Sequence, residues 1–161
     1  MDNYRVGIGF DLHRLENGRP LVLANVPVPH SRGPVGHSDG DVVIHALIDA
    51  ITGAAGMPDV GELFPNTDPQ FKNINSARLI EKVMEGLRAS PWRMVNVDVI
   101  VIAQQPRLSP FKLLMRSRLA ELLGIPMDRV NIKAKTNEHV DAVGQELAVA
   151  CHCVVMLALQ S

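Results

Sequence analysis

The chain has 161 residues, enough for one domain with a substantial core and too few for two. Its 16 Lys and Arg against 17 Asp and Glu leave a formal net charge of −1, which argues against a nucleic-acid or membrane-surface partner. The opening Met1-Asp2-Asn3-Tyr4-Arg5 lacks a basic-then-apolar leader pattern and no apolar run reaches membrane-spanning length, so the expectation is a soluble, cytoplasmic protein.

Residues 1–161 read as a single domain without internal repeats or low-complexity tracts. Tyr4 to His13 is predicted as the first strand and Leu21 to Val28 as a second, joined by a turn at Glu16-Asn17-Gly18-Arg19-Pro20. His30 to Gly36 reads as a flexible approach to a helix. Ser38 or Asp39 can cap that helix, and Val43, Ala46, Leu47, Ala50 and Ile51 form its core stripe. The helix ends around Gly53–Gly56, since Pro58 cannot continue it. Asp59 to Lys72 has no periodicity and reads as an irregular loop, either a binding wall or a plain connection.

A second helix is expected from a cap at Asn75 or Ser76, with Ala77, Ile80, Val83, Met84 and Leu87 on one face. Asn96 to Ala103 is a strand, apolar throughout at Val99 to Ile102 and so covered on both faces. Ser109-Pro110 starts a third helix with Phe111, Leu114, Met115, Leu119 and Leu122 as its stripe. Val130 to Asn137 alternates apolar and polar side chains, as a half-buried strand does. The last strand, within Leu147 to Leu159, is apolar on both faces apart from His152, which predicts burial of part of the sheet against another subunit. Two βα units with antiparallel additions give an α+β, ferredoxin-like βαβ sandwich with helices on one face of a mixed sheet.

The chemistry concentrates on three residues. His45 sits inside the apolar helix, where an aliphatic side chain is the plainer choice; a hydrogen-bonded structural histidine is the bland reading. Asp11 and His13, two apart on the first strand, project to the same face. A carboxylate and two imidazoles make an O/N/N set that zinc accepts, and three protein ligands leave the fourth position open, as in catalytic sites. Cys151-His152-Cys153 also invites a metal reading, but two buried thiols in a reducing compartment explain it better, and they stay outside the site.

The runs GFDLH (9–13), HSDGDVVIHALIDAI (37–51), ELFPNTDPQFK (62–72), IAQQPRLSP (102–110) and VNIKAKTNEH (130–139) resemble the 2-C-methyl-D-erythritol 2,4-cyclodiphosphate synthase family. The resemblance implies the same fold and a homotrimer with active sites between subunits. It implies conversion of 4-diphosphocytidyl-2-C-methyl-D-erythritol 2-phosphate to the 2,4-cyclodiphosphate and CMP. It implies Zn2+ on Asp11, His13 and His45, and Mg2+ or Mn2+ on the substrate diphosphate with Glu138 as protein ligand. His37 and Thr136 match positions that hydrogen-bond the reacting phosphates, with Ser38 beside them. Asp59, Val60 and Gly61 match the segment that grips sugar hydroxyls, extended by Phe64, Pro65, Asn66, Thr67 and Asp68. Ala103, Gln104, Gln105, Pro106, Arg107, Leu108 and Ser109, with Ala134, Lys135 and Thr136, match the cytosine pocket, and Asn137 joins the residues implied to bind substrate.

The chain also departs from that family. Ala142, Gln145, Glu146 and Leu147 stand where an aromatic residue and an Arg-Gly-Glu-Gly-like run are usual, and Gln145 lacks the fixed bidentate donors of a guanidinium. Lys135 replaces a small hydroxylated residue and Asn66 a common Asp. Two other readings follow: a degenerate trimer that binds cytidine nucleotide or an isoprenoid diphosphate without turnover, and a zinc hydrolase using metal-bound water.

Overall fold

A computed structural model describes residues 3–160. In chain order the strands are β1 (Tyr4–Asn17), β2 (Leu21–Leu23), β3 (Val26–Val28), β4 (Arg32–Pro34), β5 (Trp92–Ile102), β6 (Val130–Lys135) and β7 (Ala148–Leu159). The helices are α1 (Val42–Ala55), the short α2 (Val60–Leu63), α3 (Ser76–Arg88), α4 (Lys112–Leu123) and the short α5 (Asp141–Gly144). The architecture is mixed α+β, with a five-stranded sheet in the order β4-β1-β7-β5-β6. β5 and β6 run parallel, while β7 is antiparallel to both of its neighbours. Only the short α5 separates the two final strands β6 and β7, whereas the β-α-β-β-α-β motif has its consecutive strands in the middle.

Alternation along β1 divides the two faces of the sheet. Gly7, Gly9 and Leu15 are buried under the helices, with Asp11 and His13 half-buried on the same side. On the other side Val6, Ile8, Phe10 and Leu12 are 63%, 71%, 51% and 48% exposed. Among the described residues nothing covers that face. Cys151 and Cys153 point to the helix side, fully buried and unbridged, and burial pushes the Cys153 thiol up to about 12. Those thiols are core residues.

Two glycines set how closely α1 lies on β1. A Cβ on Gly7 would stand 1.9 Å from the Ala50 carbonyl oxygen, and one on Gly9 would stand 1.8 Å from that of Ala46. Two strand residues advance about 6.6 Å and four helical residues about 6 Å, so the two elements keep step. The next residue on that face of β1, Asp11, therefore comes level with the first turn of α1, where His45 sits. Buried side chains surround the helix except along His45, Asp49 and Gly53, spaced four apart. That line faces the site.

Several expectations are corrected. The second predicted strand is a hairpin, broken at Ala24 and Asn25 by left-handed φ values of 55° and 58°. The approach at 30–36 contains β4, paired to the far end of β1, which itself runs on to Asn17. The helix cap is Asp41, not Ser38 or Asp39, because Gly40 turns the chain at φ 72° just before it. The loop at 59–72 carries α2 and a 3-10 turn at Pro69–Phe71. Leu114, expected in the α4 stripe, is exposed: the 3-10 turn Ser109–Phe111 precedes the helix and shifts its phase. Ile100 and Ile102 are half-buried, so the middle of β5 is covered on one face within this chain.

Candidate active site

Asp41 organises the N-terminus of α1. Its carboxylate, fully buried, accepts from the backbone N–H groups of Val43 and Ile44 and also from those of Ala24 and Asn25. It thereby ties the β2–β3 turn to the helix cap. His45 then occupies the first turn, facing β1.

Three ligand atoms converge between β1 and α1. Asp11 Oδ2 lies 3.0 Å from His13 Nε2 and 2.9 Å from His45 Nδ1, and the two ring nitrogens are 3.2 Å apart. Donors around a tetrahedral zinc at about 2.0–2.1 Å stand about 3.3 Å from one another, so the set fits a cation of that size. The far side of each ring is also occupied. His13 Nδ1 donates to the Val35 carbonyl at 2.7 Å, which leaves the Nε2 lone pair free. His45 Nε2 lies 3.1 Å from Ser38 Oγ and 3.0 Å from Ser76 Oγ, which leaves the Nδ1 lone pair aimed at the same point. Burial alone would raise Asp11, but hydrogen bonds from His13 and His45 and their charge outweigh it and hold the carboxyl well below its usual range. Burial works against the His13 imidazolium, and the Asp11 carboxylate beside it more than restores it, so His13 is raised. These residues can hold a metal ion.

The triad opens onto a cavity of about 220 Å3 lined by His37, Ser38, Val60, Gly61, Phe64 and Asn66, with Phe71 and Ile74 behind. His37 Nε2 is buried there without a hydrogen-bond partner, the state of a donor that a ligand completes. Asp49, half-buried on α1, accepts from Val60 N at 2.8 Å and so sets the position of the 59–61 segment. Phe64 packs edge-on against Phe71 at 5.4 Å. Asp59, Pro65, Thr67 and Asp68 do not line this cavity; the carboxylates of Asp59 and Asp68 cap the turns that follow them.

A second cavity, about 390 Å3, gathers Ala103 to Ser109 with Ala134, Lys135 and Thr136. It shares no lining residue with the first. Across the sheet Asp11 pairs with Cys151, Cys151 with Val101, and Val101 with Ala134. Asp11 and Ala134 thus lie at one level of the sheet, three strand spacings or about 14 Å apart. Asn137, Glu138, Ala142 and Gln145 line neither. Thr136 Oγ1 donates to Glu138 Oε1 at 3.1 Å, and Glu138, His139 and Asp141 all take left-handed φ values near 50–61°. The residues that sequence reasoning missed are Asp41, Asp49, Ser76 and the Val35 carbonyl; only the Asp49 side chain, interrupting an apolar helix, left a signal.

The sequence and the fold match known proteins. The model of the YgbB family matches residues 4–158. A Bordetella avium protein named 2-C-methyl-D-erythritol 2,4-cyclodiphosphate synthase is 48% identical over 158 residues, covering 98% of each chain. The bifunctional IspDF of Campylobacter jejuni aligns with a TM-score of 0.93 at 41% identity, over 97% of this chain and 42% of that one. This chain therefore spans less than half of that protein. The IspF CDP complex of Plasmodium falciparum aligns with a TM-score of 0.87 at 28% identity, over 100% of this chain and 99% of that one. On the extent of these matches, the chain belongs to the YgbB family.

Proposed function

We propose that the chain is a metal-dependent phosphorus–oxygen lyase of isoprenoid precursor synthesis. It converts 4-diphosphocytidyl-2-C-methyl-D-erythritol 2-phosphate to 2-C-methyl-D-erythritol 2,4-cyclodiphosphate and CMP. The observation that carries the reading is the convergent Asp11–His13–His45 set opening onto a cavity with an unpartnered His37, in a chain of this family.

In this reaction an oxygen of the 2-phosphate bonds to the β-phosphorus, and the bond from that phosphorus to the oxygen shared with CMP breaks. Two anionic groups must be held together, so positioning and charge stabilisation supply most of the rate. Zn2+ on Asp11, His13 and His45 supplies Lewis-acid orientation of a phosphate oxygen, and Mg2+ or Mn2+ beside Glu138 supplies neutralisation of the diphosphate. His37 Nε2 is the free donor for a phosphate oxygen, with the Ser38 hydroxyl next to it. The Thr136 hydroxyl, now on Glu138, is within reach of the same carboxylate that would meet the second cation. The 59–61 segment, held by Asp49, meets the sugar hydroxyls, and Phe64 to Asp68 extends that wall. Backbone groups of 103–109 and 134–136 read the cytosine. Ala142 and Gln145 follow in the segment where the family's phosphate contacts differ.

We read the whole chain as one domain, ferredoxin-like in the broad sense of crossover helices on one face of a mixed sheet. Three copies assemble with sites shared between them. The uncovered face of Val6, Ile8, Phe10 and Leu12, continued by Val154 on β7, supports the assembly. The sheet spacing of about 14 Å between Asp11 and Ala134, with no lining residue shared by the two cavities, supports a site that joins one cavity of each of two chains. A cytoplasmic location is part of the same proposal.

The test is chromatography of the products with zinc and magnesium present. CMP together with the cyclic diphosphate is expected; CMP with a linear product, or no CMP, defeats the assignment.

A further inference from the structure

The two histidines of the triad are oriented by different means. His13 leans on a backbone carbonyl, which no substitution removes. His45 leans on side chains, and two hydroxyls compete for its single Nε2–H, Ser38 at 3.1 Å and Ser76 at 3.0 Å. They are not equivalent. The Ser76 hydroxyl is close to Asp39 Oδ1, and Asp39 Oδ2 accepts from Ser76 N at 3.0 Å. Asp39 is also fixed from its own loop, accepting from Asp41 N. With its proton committed to a carboxylate, the Ser76 oxygen can only accept from His45. Ser76 is fully buried at the start of α3, and besides Asp39 and His45 its hydroxyl meets, among the described residues, only the Ser38 hydroxyl, at a long 3.5 Å. Ser38, by contrast, lines the cavity and accepts from Gly40 N at 3.2 Å.

We propose that Ser76 and Asp39 are positioning residues for His45: they hold its ring as the Nε2–H tautomer with Nδ1 toward the metal position, and so leave the Ser38 hydroxyl free for the substrate. The inference rests on the metal reading of the triad. Outer partners of this kind raise ligand basicity and fix ring orientation, and losing one weakens metal binding by about 10- to 100-fold.

The experiment titrates metal-free protein with Co2+ and Zn2+ and records the visible absorption of the cobalt form. Ser76→Ala keeps the Ser76 N–H bond to Asp39 and deletes only the hydroxyl; Asp39→Asn changes the acceptor; thermal melts identify any variant that fails to fold. Expected are a 10- to 100-fold weaker affinity in Ser76→Ala with altered cobalt bands, a smaller change of the same sign in Asp39→Asn, and wild-type affinity in Ser38→Ala. A folded Ser76→Ala with wild-type affinity and spectrum overturns the proposal, as does a loss confined to Ser38→Ala. If wild-type protein itself binds neither ion, the metal reading fails and the inference fails with it, a result distinct from both.

Discussion

The two halves of the site are built in opposite ways. Around the triad every ring nitrogen but that of His37 has a partner, the supporting groups are buried, and glycines press α1 onto β1. Around Glu138 the side chains are exposed, the backbone runs through several left-handed residues, and the carboxylate meets only Thr136. One half is organised before any ligand arrives. The other is an exposed loop whose carboxylate, on the proposed reading, would be completed by a cation and a diphosphate, as is common for magnesium sites.

If the first half is prebuilt, deleting one donor empties it. Asp11→Ala and His45→Ala are expected to bring zinc from about one per chain to none and turnover to background, measured by elemental analysis and CMP release. Added zinc that binds the alanine variants as tightly as wild type would erase the distinction between the halves.

Glu138→Gln probes the other half and has the next largest effect. The amide keeps the shape and loses the charge a hard cation needs, so turnover should fall about 100-fold or more while zinc content and CDP binding by calorimetry stay near wild type. Near-normal turnover removes Glu138 from the cation site; lost zinc makes it structural.

The same contrast explains what the sequence made legible. Asp11 and His13 could be paired because a strand has period two, and His45 stood out against an aliphatic stripe. The residues that support them were hidden. In Ser38-Asp39-Gly40-Asp41 three side chains can cap a helix, and only the left-handed turn at Gly40 decides for Asp41. Ser76 looked like an ordinary cap candidate, since its role depends on α3 reaching the 37–41 loop. The open face of β1 lies in plain alternation, Val6, Ile8, Phe10, Leu12, a pattern as legible as the two-faced apolar run of β7. Glu138 was reached through resemblance, because a lone acid in a loop carries no pattern of its own.

Packing is the third test. Gly9→Ala places a methyl against the Ala46 carbonyl, 1.8 Å from its oxygen, where a helix backbone must move rather than a flexible side chain. A loss of about 3 kcal/mol or more is expected, at the upper end for overpacking, with weaker zinc binding as His45 shifts from Asp11. Urea melts and zinc titration measure both. The control lies near Glu138: Asp141→Asn, an exposed side chain at the start of α5, adds no atom against a backbone and should leave zinc affinity unchanged. A Gly9→Ala protein with wild-type stability and zinc affinity would show that the close approach of α1 does not hold the triad.

The smallest effect lies in the pH dependence of the buried half. Burial pushes the Asp41 carboxyl up from 3.8 to about 6, helped by the charge of Asp39 and opposed by the backbone N–H groups of Asn25, Ala24 and Ile44. A raised folded pKa means that the native state holds a proton the unfolded chain has released. The contribution is therefore full below about pH 3.8 and lost as pH rises through about 6. Between pH 4 and 7 that amounts to on the order of 2 kcal/mol. Asp41→Asn cannot titrate, so the difference between its urea stability and that of wild type isolates this group from Asp11, whose lowered pKa acts at more acid pH with the opposite sign. The wild-type advantage should shrink by that amount from pH 4 to 7. A flat difference would mean that the four backbone donors keep Asp41 ionised throughout, and that desolvation at this cap is offset by hydrogen bonding.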